Sequence, residues 1–170
     1  MEPSRKSGYK NRKKLLSCLF FGEGGKEKNF IIKLLSLEKF LFHTAAWYIT
    51  PDSSSGGDAL TIVNQCAKLS KNYDLAICLI DMDRLKKDYP KNWKKIQIQI
   101  ESIDPKIKVV WQIDNLEDEF QRVINNPKLK KSEINTRAKQ NIDKFINTDF
   151  WHRIISKFKE AEGQAKTTKT

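Results

Sequence analysis

The run Leu75-Ala76-Ile77-Cys78-Leu79-Ile80 is unbroken in its apolar character and stops at the acid pair Asp81-Met82-Asp83. A strand with one wet face alternates; a continuous run predicts a strand buried on both faces, the habit of parallel sheets covered by helices on either side. Leu15 to Phe21 has the same character and also ends at an acid, Glu23, within Gly22-Glu23-Gly24-Gly25. Ile107 to Trp111 reads as another strand, and Trp47-Tyr48-Ile49 as a short one ended by Pro51-Asp52-Ser53-Ser54-Ser55-Gly56-Gly57.

Helical patterns fill the intervals. From about Lys26 a broad apolar face is supplied by Phe30, Ile31, Leu34, Leu35, Leu37, Phe40 and Leu41. Asp58 stands as an N-cap before Leu60, Ile62, Val63, Cys66 and Leu69. Ile96-Gln97-Ile98-Gln99-Ile100 alternates like a strand, but Trp93, Ile96, Ile100 and Ile103 share a helical face. A helix is favoured there, because parallel neighbours need a crossover. Leu116 to Ile124 is a further helix, and Ile142, Phe145, Ile146, Trp151, Ile154, Ile155 and Phe158 form an apolar stripe in one or two basic helices broken near Thr148-Asp149. The order βαβαβαβα predicts an α/β, Rossmann-like three-layer fold with a mainly parallel sheet and extra C-terminal helices.

The 170 residues divide into a basic arm over 1–13, the α/β domain over 14–126, a helical extension over 127–162 and a disordered tail over 163–170. Arg5 to Lys14 followed by Leu15–Phe21 superficially resembles a signal peptide, but the apolar run is short and stops at Glu23; no stretch approaches the ~18 apolar residues of a membrane helix. Cys18, Cys66 and Cys78 lack metal-ligand spacing and sit in apolar contexts, so buried reduced thiols and a cytoplasmic location are expected. A formal charge of +11 favours polyanion partners, nucleic acid ahead of an anionic membrane, although lysines on solvated faces would give the same count.

Parallel strands deliver their carboxyl ends to one edge, so Glu23, Asp81 and Asp83 can converge into an oxygen-rich cage suited to a hard divalent cation, most often Mg²⁺. Asp-x-Asp after an apolar run is shared by glycosyltransferases, phosphatases, receiver domains and nucleases, and by plain strand-ending turns with solvated acids. The glycines around Glu23 permit tight turns and close approach of a phosphate. His43 and His152 are isolated, without zinc spacing. Tyr89 reads as a loop anchor beside Pro90. Lys86, Lys87, Lys91, Lys94 and Lys95 follow the acid pair, and with Lys26 they are candidates to hold a nucleic-acid backbone; Trp93 among them suits a base stack or the core.

Glu23-Gly24 closing the first strand and Asp81-Met82-Asp83 closing the third resemble a Toprim domain, the catalytic module of topoisomerases, primases and OLD-family nucleases. The closer resemblance, over residues 12–124, is to RloB-like proteins, carried by Glu23-Gly24, Glu27, Phe30, Gly56-Gly57-Asp58 and Tyr73-Asp74. Where that family has an Asn-Pro turn and a Phe-Glu-Leu-Trp-like helix, this chain has Ile113-Asp114-Asn115-Leu116-Glu117-Asp118-Glu119-Phe120. Glu117 is the preferred third acidic position, with Glu119 or Asp114 as alternatives. The resemblance implies a nuclease dependent on Mg²⁺ or Mn²⁺ that hydrolyses phosphodiester bonds in DNA or RNA. Glu23, Asp81, Asp83 and Glu117 would hold metal and act in catalysis. It also implies a phage-defence or toxin setting, an ATPase partner from the same locus and, as an alternative, a catalytically silent regulatory subunit that binds nucleic acid or the ATPase. An oligomer is compatible with either.

Overall fold

The computed structural model describes residues 16–25, 27–29, 32, 47–112, 133, 144 and 146–167. Four strands, β1 (Leu16–Gly22), β2 (Trp47–Ser53), β3 (Leu75–Asp81) and β4 (Ile107–Gln112), form one all-parallel sheet in the order β2-β1-β3-β4. The runs that are continuous in sequence are the two central strands: Cys18–Phe21 and Leu75–Ile80 are buried throughout. β2 continues past Ile49 through Pro51 and Asp52 to Ser53, where the sequence predicts a turn. An edge strand allows this, because a proline there need not donate to a neighbour on its open side.

Helices α1 (Ala59–Leu69), α2 (Met82–Asp88) and α3 (Trp93–Glu101) cover one face. Leu19 and Phe21 of β1, Ala76, Cys78 and Ile80 of β3 and Ile107 of β4 meet Ala59, Ile62, Val63, Cys66, Leu85 and Ile100 there in one apolar cluster. The helix expected over Trp93–Ile103 forms, and it leaves Ile98 67% exposed, on the opposite side from Ile96 and Ile100. A strand would have put all three isoleucines on one face.

The opposite face carries α4 (Asp149–Thr167), which buries Phe150, Trp151, Ile154 and Phe158. The Phe158 ring meets Trp47 edge-on at 5.2 Å and Phe20 at 6.5 Å, and Trp47 Nε1 donates to Glu162 Oε1 at 2.7 Å. The break expected near Thr148 is present: Thr148 accepts from Trp151 N through Oγ1 (3.3 Å) and from His152 N through its carbonyl (3.0 Å), starting the helix. The stripe of α4 packs on the sheet, and the helix runs through Gly163 to Thr167, where the sequence predicts a frayed tail. One glycine costs a helix only about 1 kcal/mol, less than the buried face supplies.

Asp74 ties the amino-terminal edge together. Its Oδ2 accepts from Ser17 N (2.7 Å) and Ser17 Oγ (3.0 Å), and its own N–H donates to the Ser17 carbonyl (3.0 Å). Asp74 therefore clasps β1 to the start of β3 at the edge remote from the acids.

Candidate functional site at the switch point

From β1 the chain passes to β2 on one side, then crosses to β3 on the other, so the carboxyl ends of β1 and β3 flank a topological switch point. Open α/β sheets bind ligands in the crevice that opens there. Glu23 follows β1 and Asp81 ends β3. The structure brings them together: Glu23 Oε2 accepts from the Asp81 backbone N–H at 3.2 Å. Glu23's other oxygen, Oε1, is 2.8 Å from Arg84 Nη1, and its side chain is 14% exposed.

Arg84 is the organiser that sequence reasoning misses. It lies three residues beyond Asp81, so the first turn of α2 swings it back over the strand end. Its Nη2 donates to the Gly57 carbonyl and its Nε to Asp88 Oδ2 at 3.3 Å. One guanidinium thus joins the ends of β1 and β3 to the loop before α1. The available signal is an arginine within one helical turn of an acid pair.

Local geometry explains the glycines. Gly57 has φ +116, and a Cβ there would come within 2.8 Å of Thr61 Cγ2. At Gly22 a Cβ would meet Glu27 Cβ at 2.4 Å. Glu27 Oε2 accepts from Gly24 N–H at 3.0 Å, and Lys28 N–H donates to the Gly24 carbonyl at 3.3 Å, a capping arrangement at the start of the next helix. Ser54 fixes the following loop, donating to Gln65 Oε1 (2.7 Å) while its N–H reaches the Gly22 carbonyl (3.0 Å).

Asp58 caps α1 as expected, accepting from Thr61 N–H at 2.8 Å. That N–H holds its carboxyl below the ordinary value, helped by the Thr61 and Tyr89 hydroxyls and the Arg84 charge. Tyr89 is the anchor expected of it: burial, then its hydrogen bond to Asp58, push the phenol above its usual range.

Comparisons with protein-family models, curated proteins and solved structures gave no match.

The other predicted residues fall in four groups. Asp83 is exposed on the first turn of α2. Lys86, Lys87, Lys91, Lys94 and Lys95 are all exposed, spread over α2, the turn after it and α3. Trp93 is half-buried against the helix-side core, with the Lys86 and Lys94 ammonium groups 5.2 and 5.5 Å from its ring. Its ring supports those two lysines through packing and cation–π contact. Lys26, His43, Asp114, Glu117, Glu119 and the helix expected over 116–124 lie outside the described residues.

Glu23 and Asp81 offer carboxylate oxygens from two strand ends, the donor chemistry that a hard cation takes. The set is not closed: among the described residues no three His, Cys, Asp or Glu side chains are gathered to hold an ion. At Glu23 the positive charge comes from Arg84. Cys18, Cys66 and Cys78 are buried and free; burial pushes Cys18 far up, and a hydrogen bond with Cys66 together with burial does the same for Cys78. A thiol held protonated is a poor nucleophile. No helix among the described residues is long and apolar enough to cross a membrane.

Proposed function

We propose that the switch-point edge is a nuclease site that hydrolyses phosphodiester bonds in DNA or RNA with Mg²⁺ or Mn²⁺. This is the activity implied by the resemblance to RloB-like Toprim proteins. The observation that carries the reading is the meeting of Glu23, Asp81 and Arg84 between the carboxyl ends of β1 and β3, followed by the exposed lysines of α2 and α3.

Glu23 and Asp81 serve as oxygen ligands, and Glu23 alternatively as the base that takes a proton from water. A divalent cation held there would supply positive charge for a phosphate and acidify water. Arg84 is 37% exposed, so a phosphate entering the crevice can take its Nη donors in exchange for Glu23, which frees the Glu23 carboxylate. Lys86, Lys87, Lys91, Lys94 and Lys95 hold the backbone of the polymer. Three buried free thiols fit a reducing, cytoplasmic setting, and an ATPase partner and a defence role follow from the resemblance alone.

The pairing of Glu23 with Arg84 favours one second reading, a regulatory subunit that binds nucleic acid or an ATPase without cleavage. Incubation of the protein with plasmid, single-stranded DNA and total tRNA, with and without Mn²⁺, separates the two. Ion-dependent cleavage that drops at least about 10²-fold in Glu23→Gln and in Asp81→Asn supports the nuclease. Cleavage that survives both substitutions overturns this site, and binding without cleavage in the presence of a cognate ATPase supports the regulatory subunit.

A further inference from the structure

Both oxygens of Glu23 are engaged. Oε2 accepts from the Asp81 N–H at 3.2 Å and Oε1 meets Arg84 Nη1 at 2.8 Å, in a side chain only 14% exposed. Each charge of a pair so far out of water neutralises the other, and removing one partner leaves the other uncompensated. A second cation approaching Glu23 therefore meets the guanidinium as a competitor. Arg84 holds Oε1 and repels a like charge beside it.

Arg84 is anchored in a way that lets its outer end move. Its Nε pairs with Asp88 Oδ2 at 3.3 Å, one turn further along α2. Nε is the guanidinium nitrogen nearest the backbone, so Asp88 holds the stem. The two Nη groups reach forward, one to Glu23 and one to the Gly57 carbonyl. Gly57 lies on an exposed loop, where water replaces a lost donor at little cost. Swinging the Nη end away from Glu23 keeps the Asp88 pair, and a guanidinium fork matches phosphate oxygens as well as carboxylate oxygens.

We infer that Arg84 is a latch that makes cation and phosphodiester binding at this edge depend on one another. Closed, it neutralises Glu23. When the Nη groups turn to a phosphodiester, Glu23 is left to the cation; when Glu23 turns to a cation, the Nη groups are left to the phosphodiester. Linkage makes the effect reciprocal, each ligand raising the affinity of the other by the same factor. The inference rests on the reading of Glu23 as an ion ligand and adds a regulation to it: the edge takes its cation together with its substrate.

The test titrates the full chain with Mn²⁺, followed by electron paramagnetic resonance and calorimetry at fixed ionic strength. It is run with and without dimethyl phosphate, a diester too small to engage the lysine track as well. In the parent, dimethyl phosphate is expected to tighten Mn²⁺ binding at least about 5-fold, the low end of typical coupling between sites. Arg84→Gln is expected to bind Mn²⁺ alone more tightly than the parent by a similar factor and to gain nothing from dimethyl phosphate. Arg84→Lys keeps the charge without the fork and is expected to lose the coupling too, which covers a glutamine variant that does not fold. Mn²⁺ affinity that is unchanged or weaker in Arg84→Gln, or a parent indifferent to dimethyl phosphate, overturns the latch. Glu23→Gln separates the two readings. If it leaves Mn²⁺ binding as in the parent, or if the parent binds none even with dimethyl phosphate, the ion reading of Glu23 itself fails. If it abolishes Mn²⁺ binding while Arg84→Gln brings no tightening, the latch alone fails.

Discussion

At the scale of single residues, Asp58 joins more of the site than any sequence motif announces. It caps α1 through Thr61 N–H, receives the Tyr89 hydroxyl and feels the charge of Arg84, whose Nη2 grips the neighbouring Gly57 carbonyl. Replacing an N-cap aspartate by alanine costs about 1 kcal/mol, so Asp58→Ala is expected to lower stability by that order in urea unfolding at neutral pH, while Asp58→Asn stays close to the parent. The folded carboxyl titrates below the ordinary value of 3.8. Its contribution is therefore fully present above pH 3.8 and is lost as pH falls through the lower folded value. The difference between parent and Asp58→Asn is expected to change only below that point; a difference that changes between pH 5 and 7 would assign the titration to another group. The cap was legible because Asp before an apolar period has a local cause. Arg84 was not, since an arginine just past a strand end reads as surface until the pairing of β1 with β3 is known.

Among the elements, α4 shows where local pattern and tertiary context part. Its apolar stripe is plain in the sequence, but only the sheet face decides whether it covers β1 and β2, a partner or nothing. The answer lies in Phe158, fully buried between Trp47 and Phe20. Phe158→Ala is expected to cost about 3–5 kcal/mol in chemical denaturation and to disturb the fluorescence of Trp47. A loss well under 1 kcal/mol would return α4 to the status of an appendage. The central strands were legible as unbroken apolar runs because burial on both faces leaves no polar position. The sequence predicts a shorter β2, because Pro51 and Asp52 are turn-like by composition. Their place in a strand depends on β2 being an edge, a property of the sheet order. The helix over Trp93–Glu101 was decidable because a parallel β3–β4 pair requires a crossover.

For the whole molecule the charge distribution sets what the edge can meet. A formal charge of +11 is shared over the chain, while Glu23 and Asp88 pair with Arg84 beside the switch point. A polyanion is thus attracted to the molecule at long range but needs a cation, or Arg84, to come close to the acids. The exposed lysines of α2, the turn after it and α3 are the proposed track. Lys86 and Lys94 lie over the Trp93 ring, which leaves Lys87, Lys91 and Lys95 as exposed ammonium groups outside those ring contacts. Each lysine that neutralises a phosphate contributes about 0.9 to the slope of log affinity against log salt on duplex DNA and about 0.7 on single strands. Replacing Lys87, Lys91 and Lys95 together by glutamine is expected to flatten that slope by up to about 2–3, weakening all sequences alike and leaving the fold intact. Fluorescence anisotropy between about 50 and 200 mM salt measures it. An unchanged slope would move the phosphate track elsewhere on the surface, whereas a flattened slope with Mn²⁺ binding unaltered would show that these lysines hold the polymer and the switch point holds the ion, two functions carried by adjacent elements of one sheet edge.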